Sequence, residues 1–274
     1  MKSLFNRIYR SVAIRSSRLI TPANKPKVIH SKINGYDLLV LANEDVGRLI
    51  HYVKSYEPAE TRYLLSIINK DSICLDIGAN IGYFTMLMAK AASSGQVHAF
   101  EPVALNLSLL KSSVELNQLT NVFINQFAVG DVVGEVSFSQ SVDGAYSSMQ
   151  DTGRKPSTRT IKVPVLTLDG YLDDNNINRV DVMKVDVEGA EGLVLAGASK
   201  LLADLKRRPG VVFLELYDQN LNVFGTSVSE IIEKMFDYGY EPFVLSESAE
   251  LMSYKPELKN KYFNVFFLAN HSVV

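Results

Sequence analysis

From residue 72 onward, short apolar runs alternate with amphipathic stretches. Strands are predicted over 72–76, 96–101 and 122–127, and helices over 81–92 and 103–117, the second entered at Pro102 and burying Leu105, Leu109, Leu110 and Val114. This alternation predicts a doubly wound α/β sheet, mostly parallel, with right-handed crossovers. Further strands are read at 134–139 and 161–166, on either side of the polar stretch 140–160. Then come a short helix opened by Leu168-Asp169, a strand from Val182, a helix over 190–203 and a strand over 211–216. A Ser227-x-x-Glu230 capping box starts a last helix that Gly239 stops, and strands at 240–245 and 262–269 close the chain. Ahead of the sheet, a strand pair over 28–41 turns at Asn34-Gly35. A helix over 58–69 follows, with Thr61, Tyr63, Leu64, Leu65, Ile67 and Ile68 on its packing side.

The pattern divides the chain into a basic amphipathic segment (1–27), a helical/β extension (28–70) and a ligand-binding domain (71–274). With 274 residues and 47% hydrophobic content, one large core is expected. Residues 1–30 hold seven Lys or Arg and no acid, leaving 21 basic against 30 acidic residues for the rest. At helical spacing Leu4, Phe5, Ile8, Tyr9, Val12 and Leu19 share a face, with Arg7, Arg10 and Arg18 away from it. Segment 1–20 therefore offers a surface for peripheral contact with an anionic membrane, or a helix that packs on the domain. It lacks the continuous apolar run of a signal peptide or membrane span. Cys74 is the only cysteine, so neither a disulfide nor a cysteine-rich zinc site is available, and a reducing cytoplasm is the expected setting.

The chemistry concentrates in Leu75-Asp-Ile-Gly-Ala-Asn-Ile-Gly82 and in Ala99-Phe-Glu-Pro102. An apolar strand ending in Asp76 breaks into a turn carrying Gly78 and Gly82, and a second strand ends in Glu101. Such β-α-β units bind ligands at the carboxyl edge of the sheet. The dinucleotide fingerprint needs glycine where Asn80 and Tyr83 stand, and no P-loop is present, which disfavours polyphosphate ligands such as NAD and FAD. Glu101 sits where a carboxylate accepts from both hydroxyls of a ribose. S-adenosylmethionine meets these conditions: a ribose for Glu101, a charged amino acid end for Asp76 and the glycine-rich backbone, and no phosphate. The plain alternative is a buried Asp capping a turn and a Glu at a strand end. Ala128 and Val129, after the third strand, fall where the adenine would lie.

The second informative segment is Val182-Met-Lys-Val-Asp-Val-Glu-Gly-Ala-Glu191. Strand alternation turns Lys184, Asp186 and Glu188 to one face, a costly arrangement unless they pair or reach the open edge. Lys184 is expected to neutralise a carboxylate inside, while Asp186 and Glu188 reach the pocket. Glu215 ends the next strand at the same edge, Glu57 is a candidate rim residue, and 140–160 is read as a substrate-side flap containing Ser147 and Ser148.

LDIGANIGYFT, AFEP, FAVGD, LTLDGYL, MKVDVEGAE with its downstream VLAGA, VVFLELY and YFNVFFL together resemble the FkbM family of S-adenosylmethionine-dependent methyltransferases, over roughly residues 50–270. The resemblance implies a class I methyltransferase (Rossmann-like) sheet with a final antiparallel strand beside the fifth. It also implies O-methylation of a hydroxyl on a sugar, glycolipid or natural-product intermediate. It assigns Asp76, Gly78, Asn80 and Gly82 to the methionine-binding loop, Glu101 to the ribose, and Asp186, Glu188 and Glu191 to a D-x-E-G-x-E segment.

Methyl transfer to a hydroxyl needs a base. His30, His51, His98 and His271 are poorly placed for it, which leaves Asp186 or Glu188 first and Glu215 second, with Asp186 also at the cofactor. Asp186, Glu215 and Asp218 lie on neighbouring strand ends and would suit Mg²⁺, but such carboxylates read first as a polar rim, and no metal is assigned. Rival readings are an NAD-type oxidoreductase, a methyltransferase with a protein or nitrogen acceptor, and a non-catalytic adaptor at a membrane. Nucleic acid is disfavoured as acceptor by the absence of tryptophan, of a basic stripe with interleaved aromatics and of an N/D-P-P-Y/F motif.

Overall fold

The computed structural model describes residues 13–21, 27–141, 147–150, 157–258 and 263–270. Strands β3 (Ile73–Ile77), β4 (Gln96–Phe100), β5 (Val122–Asn125), β9 (Val182–Val185) and β10 (Val211–Glu215) are parallel neighbours in the order β10-β9-β3-β4-β5. β13 (Asn264–Ala269) runs antiparallel between β10 and β11 (Tyr240–Leu245), and β12 (Leu251–Ser253), which the pattern did not predict, completes the eight strands. This is the doubly wound sheet, with its late antiparallel strand, that the pattern and the resemblance imply. The winding direction reverses between β3 and β9, so the crevice expected to bind ligand opens beyond Ile77 and Val185.

Residues alternate between two buried layers. Cys74, Phe213 and Phe266 face one, with the two rings stacked at 4.5 Å, while Leu75, Val185 and Leu214 face the other. Each fully buried aliphatic or aromatic side chain contributes about 1.5–3 kcal/mol. Leu65 and Leu105, both expected inside, are 40% and 44% exposed on the outer sides of their helices.

Three other expectations are corrected. The strand over 122–127 ends at Asn125, and Ala128–Val129 (β6) leaves the main sheet to pair with β8 (Ser157–Leu166), itself antiparallel to β7 (Gly134–Ser141). The stretch 140–160 is shorter as a loop than expected, because β7 and β8 extend into it and Ser148 bridges back to Ser139. The added residues, 140–141 and 157–160, are all polar in sequence, so no apolar alternation marks them as strand. Residues 142–146 and 151–156 lie outside the described set. The helix over 190–203 is two, Glu191–Ala196 and Ser199–Ala203, because Gly197 packs so closely on the Gly130 carbonyl that a β-carbon would overlap it.

In the extension, β1 (Val28–Ile33) and β2 (Tyr36–Leu41) pair antiparallel about Asn34 and Gly35, both at positive φ as a two-residue hairpin turn needs. The hairpin is fastened to the helix Ala104–Leu116: Leu39 N–H donates to Ser113 Oγ at 3.0 Å, and Asp37 N–H to Asn117 Oδ1 at 3.0 Å. No helix among the described residues is long and apolar enough to cross a membrane.

Candidate active site

The loop after β3 sets the geometry. Gly78 (φ 78°), Asn80 (φ 51°) and Gly82 (φ 90°) all occupy the left-handed region, so Asn80 fills a position where glycine or asparagine is favoured. The two glycines serve close packing: a β-carbon on Gly78 would overlap the Asp186 carbonyl, and one on Gly82 would overlap Leu110. Gly78 and Ala79 both donate N–H to the Phe100 carbonyl, at 3.0 and 2.9 Å, pulling the loop over the end of β4.

Glu101 is thereby placed beneath the loop. One carboxylate oxygen accepts from Asn80 N–H at 2.9 Å and the other from Val103 N–H at 2.8 Å. Burial raises its pKa to about 7, against the pull of these two bonds and a further one from Asn106.

Three adjoining cavities meet at Gly78. The first, about 330 Å³, is apolar and lined by Phe100, Phe127, Ala128, Val129, Phe138 and Met149 among others. The second, about 320 Å³, is polar, and Glu101, Asn80, Asn106, Asp186 and Glu188 face it together. The third, about 280 Å³, lies between Val46, Tyr56, Tyr83, Phe84, Lys184 and Asp186.

Asp76 does not face these cavities. It is fully buried one layer below, where Oδ2 accepts from Thr85 Oγ1 and Oδ1 lies 3.6 Å from Lys184 Nζ. Lys184, 2% exposed, also donates to Asp186 Oδ2 at 3.2 Å. Burial works against its charge, but Asp186, Asp76 and Glu57 outweigh it and raise its pKa. The strand alternation ends at Val185. Glu188 sits at φ 54°, 8% exposed, with Oε2 accepting from Asn220 Nδ2 at 2.6 Å.

Glu191 supports this turn from below, accepting from Val187 and Gly189 N–H at 3.1 and 3.2 Å. Burial pushes its pKa up to about 7. Asp186, Glu188 and Glu215 bring carboxylate oxygens within 4.8 Å of one another. Burial, then Asp186 and Glu188, raise the Glu215 pKa well above the usual range, and Glu215 shares a hydrogen bond with Asp186. Asp218, expected at this edge, instead accepts from Val228 N–H at 2.9 Å as a helix cap. His98 is remote from it, bonded to Tyr171 and stacked on Phe123 at 4.7 Å, and burial lowers its pKa to about 4.

The extension also shapes the site, through contacts that its sequence pattern does not encode. Tyr83 OH donates to the Tyr56 carbonyl at 3.1 Å and accepts from Asn34 Nδ2 at 2.9 Å, so the hairpin turn helps hold the wall of the third cavity. The flap contributes too: Ser148 Oγ donates to the Glu188 carbonyl at 2.9 Å, seating Ser147 and Met149 over the first two cavities.

The family profile described as "Methyltransferase FkbM domain" matches residues 76–242. The chain is 27% identical over 59% of its length to "Methyltransferase 1" of Beauveria bassiana, covering 72% of that protein. It is 25% identical over 58% of its length to "2-O-methyltransferase NoeI" of Sinorhizobium fredii, covering 70% of it. It is 26% identical over 46% of its length to "31-O-demethyl-FK506 methyltransferase FkbM" of Streptomyces tacrolimicus, covering 58% of it.

Proposed function

We propose that this chain, which belongs to the FkbM methyltransferase family, methylates a hydroxyl group of a sugar, glycolipid or natural-product intermediate. The family's methyl donor is S-adenosylmethionine, which supplies an electrophilic methyl group when bound. The residues present fit it. An apolar cavity at Ala128 and Val129 suits a purine, and Glu101, with two backbone N–H groups and Asn106 on its carboxylate, keeps one of its four acceptor positions for a ribose hydroxyl. The positive-φ loop lets backbone approach the amino acid end.

The observation that carries the reading is that Glu101 and the Asp186–Glu188 carboxylates face one cavity across Gly78. The donor and an acceptor hydroxyl would therefore be held side by side, and positioning is most of what an in-line displacement asks of a protein. Asp186 is the residue we assign to orient the hydroxyl and take its proton. Lys184 supports its charge, and Glu215, holding a proton in the bond it shares with Asp186, keeps the pair from repelling. Glu188 shapes the turn, and Glu191 clamps it. NoeI and FkbM carry O-methyl transfer in their names, which favours oxygen over nitrogen as acceptor.

The test is comparative profiling of small molecules and glycans from cells with and without the gene, followed by transfer of labelled methyl from S-adenosylmethionine by the purified chain. A product one methylene heavier, labelled on oxygen, is expected. Label on protein or on nitrogen would overturn the O-methyl reading.

A further inference from the structure

The helix over residues 13–20 is inside out. Ser17 and the adjoining Thr21 are 2% and 3% exposed, whereas Leu19 and Ile20 are 86% and 68% exposed. A buried arginine enforces this orientation. Arg48, 1% exposed, donates to Ser17 Oγ at 3.0 Å, to Thr21 Oγ1 at 3.2 Å, to the Asn43 carbonyl at 3.0 Å and to the Thr21 carbonyl. Thr21 Oγ1 in turn lies 2.8 Å from the Ala42 carbonyl, as a donor. Turning Leu19 and Ile20 inward would strand a buried guanidinium, so their exposure is built into the packing.

Surface helices normally turn such residues toward the core, and apolar side chains rimmed by polar ones mark an interaction surface. The charge around them selects the partner. Arg15 and Arg18 are exposed beside the apolar pair, and the solvated Arg18–Asp45 contact at 3.5 Å is too weak to remove Arg18 from use. In the sequence, residues 1–30 carry seven cations and no acid, in a protein whose remainder is net acidic. An apolar pair set among cations matches an anionic bilayer, whose headgroups attract the charge and whose acyl boundary receives the side chains.

We infer that residues 13–20 dock this protein on an anionic membrane surface through Leu19 and Ile20. Arg48 ends the helical turn Asp45–Arg48, and Val46 of that same turn lines the cavity shared with Lys184 and Asp186. On the methyl-transfer reading, docking then sets this cavity near the bilayer, where a lipid-linked hydroxyl is presented. The lipid test does not depend on that reading.

The test is flotation of the full chain with phosphatidylcholine vesicles containing about a quarter phosphatidylglycerol, and with phosphatidylcholine alone. The wild type is expected to float with the anionic vesicles at least about tenfold more strongly than with neutral ones, and to be released as salt rises. The double variant Leu19→Glu/Ile20→Glu should lose at least about tenfold of that binding while keeping the wild-type melting temperature and S-adenosylmethionine affinity. Absence of binding to anionic vesicles, equal binding to neutral ones, or wild-type binding by the double variant overturns the inference. So does self-association abolished by the same substitutions in a protein that ignores vesicles, because a second copy would then cover the face.

Discussion

Replacing Glu101 with Gln keeps its shape and removes its charge. In the fold both carboxylate oxygens accept backbone N–H groups, at 2.9 and 2.8 Å. A Gln amide must turn its NH₂ toward one of those donors, so one bond becomes a donor–donor clash, and the other weakens with the loss of charge. Hydrogen bonds to a charged acceptor are worth about 1.5–3 kcal/mol, and part of that is needed to hold the loop that receives the ligand. Glu101→Gln is therefore expected to weaken S-adenosylmethionine binding at about pH 8 by roughly 1–3 kcal/mol, or five- to 150-fold.

The same residue predicts a pH dependence whose sign is fixed. On the proposed placement, ribose hydroxyls would donate to the ionised carboxylate, while the free protein holds Glu101 with a pKa of about 7. Below that value the ligand must displace a proton, and affinity falls by about tenfold per pH unit, so the Kd at about pH 5.5 should be roughly thirtyfold that at about pH 8. For the ligand-free fold the sign is opposite. Its pKa is raised above the ordinary 4.5, so the stability this group contributes at low pH is lost as pH rises from 4.5 through 7. Calorimetry in two buffers of different ionisation heat reads both affinity and proton release. Wild-type affinity that is flat from pH 8 to 5.5, or a Gln variant that binds like wild type at pH 8, would refute the placement of Glu101 at the ribose.

Asp186→Asn is expected to leave S-adenosylmethionine affinity within about threefold and to slow methyl transfer by about 10²–10⁴-fold, the usual range for a lost general base; a fully active variant would remove Asp186 from that role. Lys184→Met leaves Asp76 and Asp186 without their shared cation. A loss of about 3–5 kcal/mol is expected in chemical denaturation, and a loss near zero would show that the pair is not bound as described. Gly78→Ala meets both a φ of 78° and the Asp186 carbonyl. It should cost at least about 2 kcal/mol, and an unchanged melting curve would mean that the β3–β9 approach can relax.

The central sheet was legible because its strands are covered on both faces and read as unbroken apolar runs, with Asp76, Glu101 and Glu215 standing out at their ends. What escaped the sequence depends on contacts between distant segments. Asp76 reads like a ligand residue, yet its burial is fixed by Thr85 and Lys184, nine and 108 positions away. Asp186 and Glu188 do reach one cavity as expected, but through a turn with positive φ at Glu188 and a clamp from Glu191 that strand alternation does not foresee. Asp218 looked equivalent to its neighbours until the capped helix drew it away. Ser148 was placed in the flap, but not its partner, since its hydrogen bond goes to the Glu188 carbonyl and no side-chain pattern encodes a carbonyl.

Glu57 shows how the charges at this edge balance. Its backbone is left-handed (φ 38°), and Asn264 Nδ2 reaches both Glu57 Oε2 at 3.4 Å and Glu60 Oε1 at 3.1 Å, tying the extension to β13 directly opposite Glu215. Among the described residues lining the three cavities Lys184 is the one cation, and it is already engaged with Asp76 and Asp186. Glu57 and Glu215 resist ionisation. Burial, then Glu60 and Asp186, raise the Glu57 pKa to about 8, and Glu215 is raised as well. On the proposed reading an acceptor hydroxyl would meet Asp186 beside Glu57 and Glu215, whose raised pKa values favour their protonated forms. Because the folded value for Glu57 lies above the ordinary 4.5, folding binds a proton there, and the associated stability is full below about pH 4.5 and lost as pH rises through about 8. Gln imitates the protonated side chain, so Glu57→Gln should melt like wild type near pH 5 and at increasingly higher temperature than wild type as pH approaches 9. A melting difference that stays constant across that range would mean that Glu57 is ionised throughout, and that this edge carries more negative charge than its geometry allows.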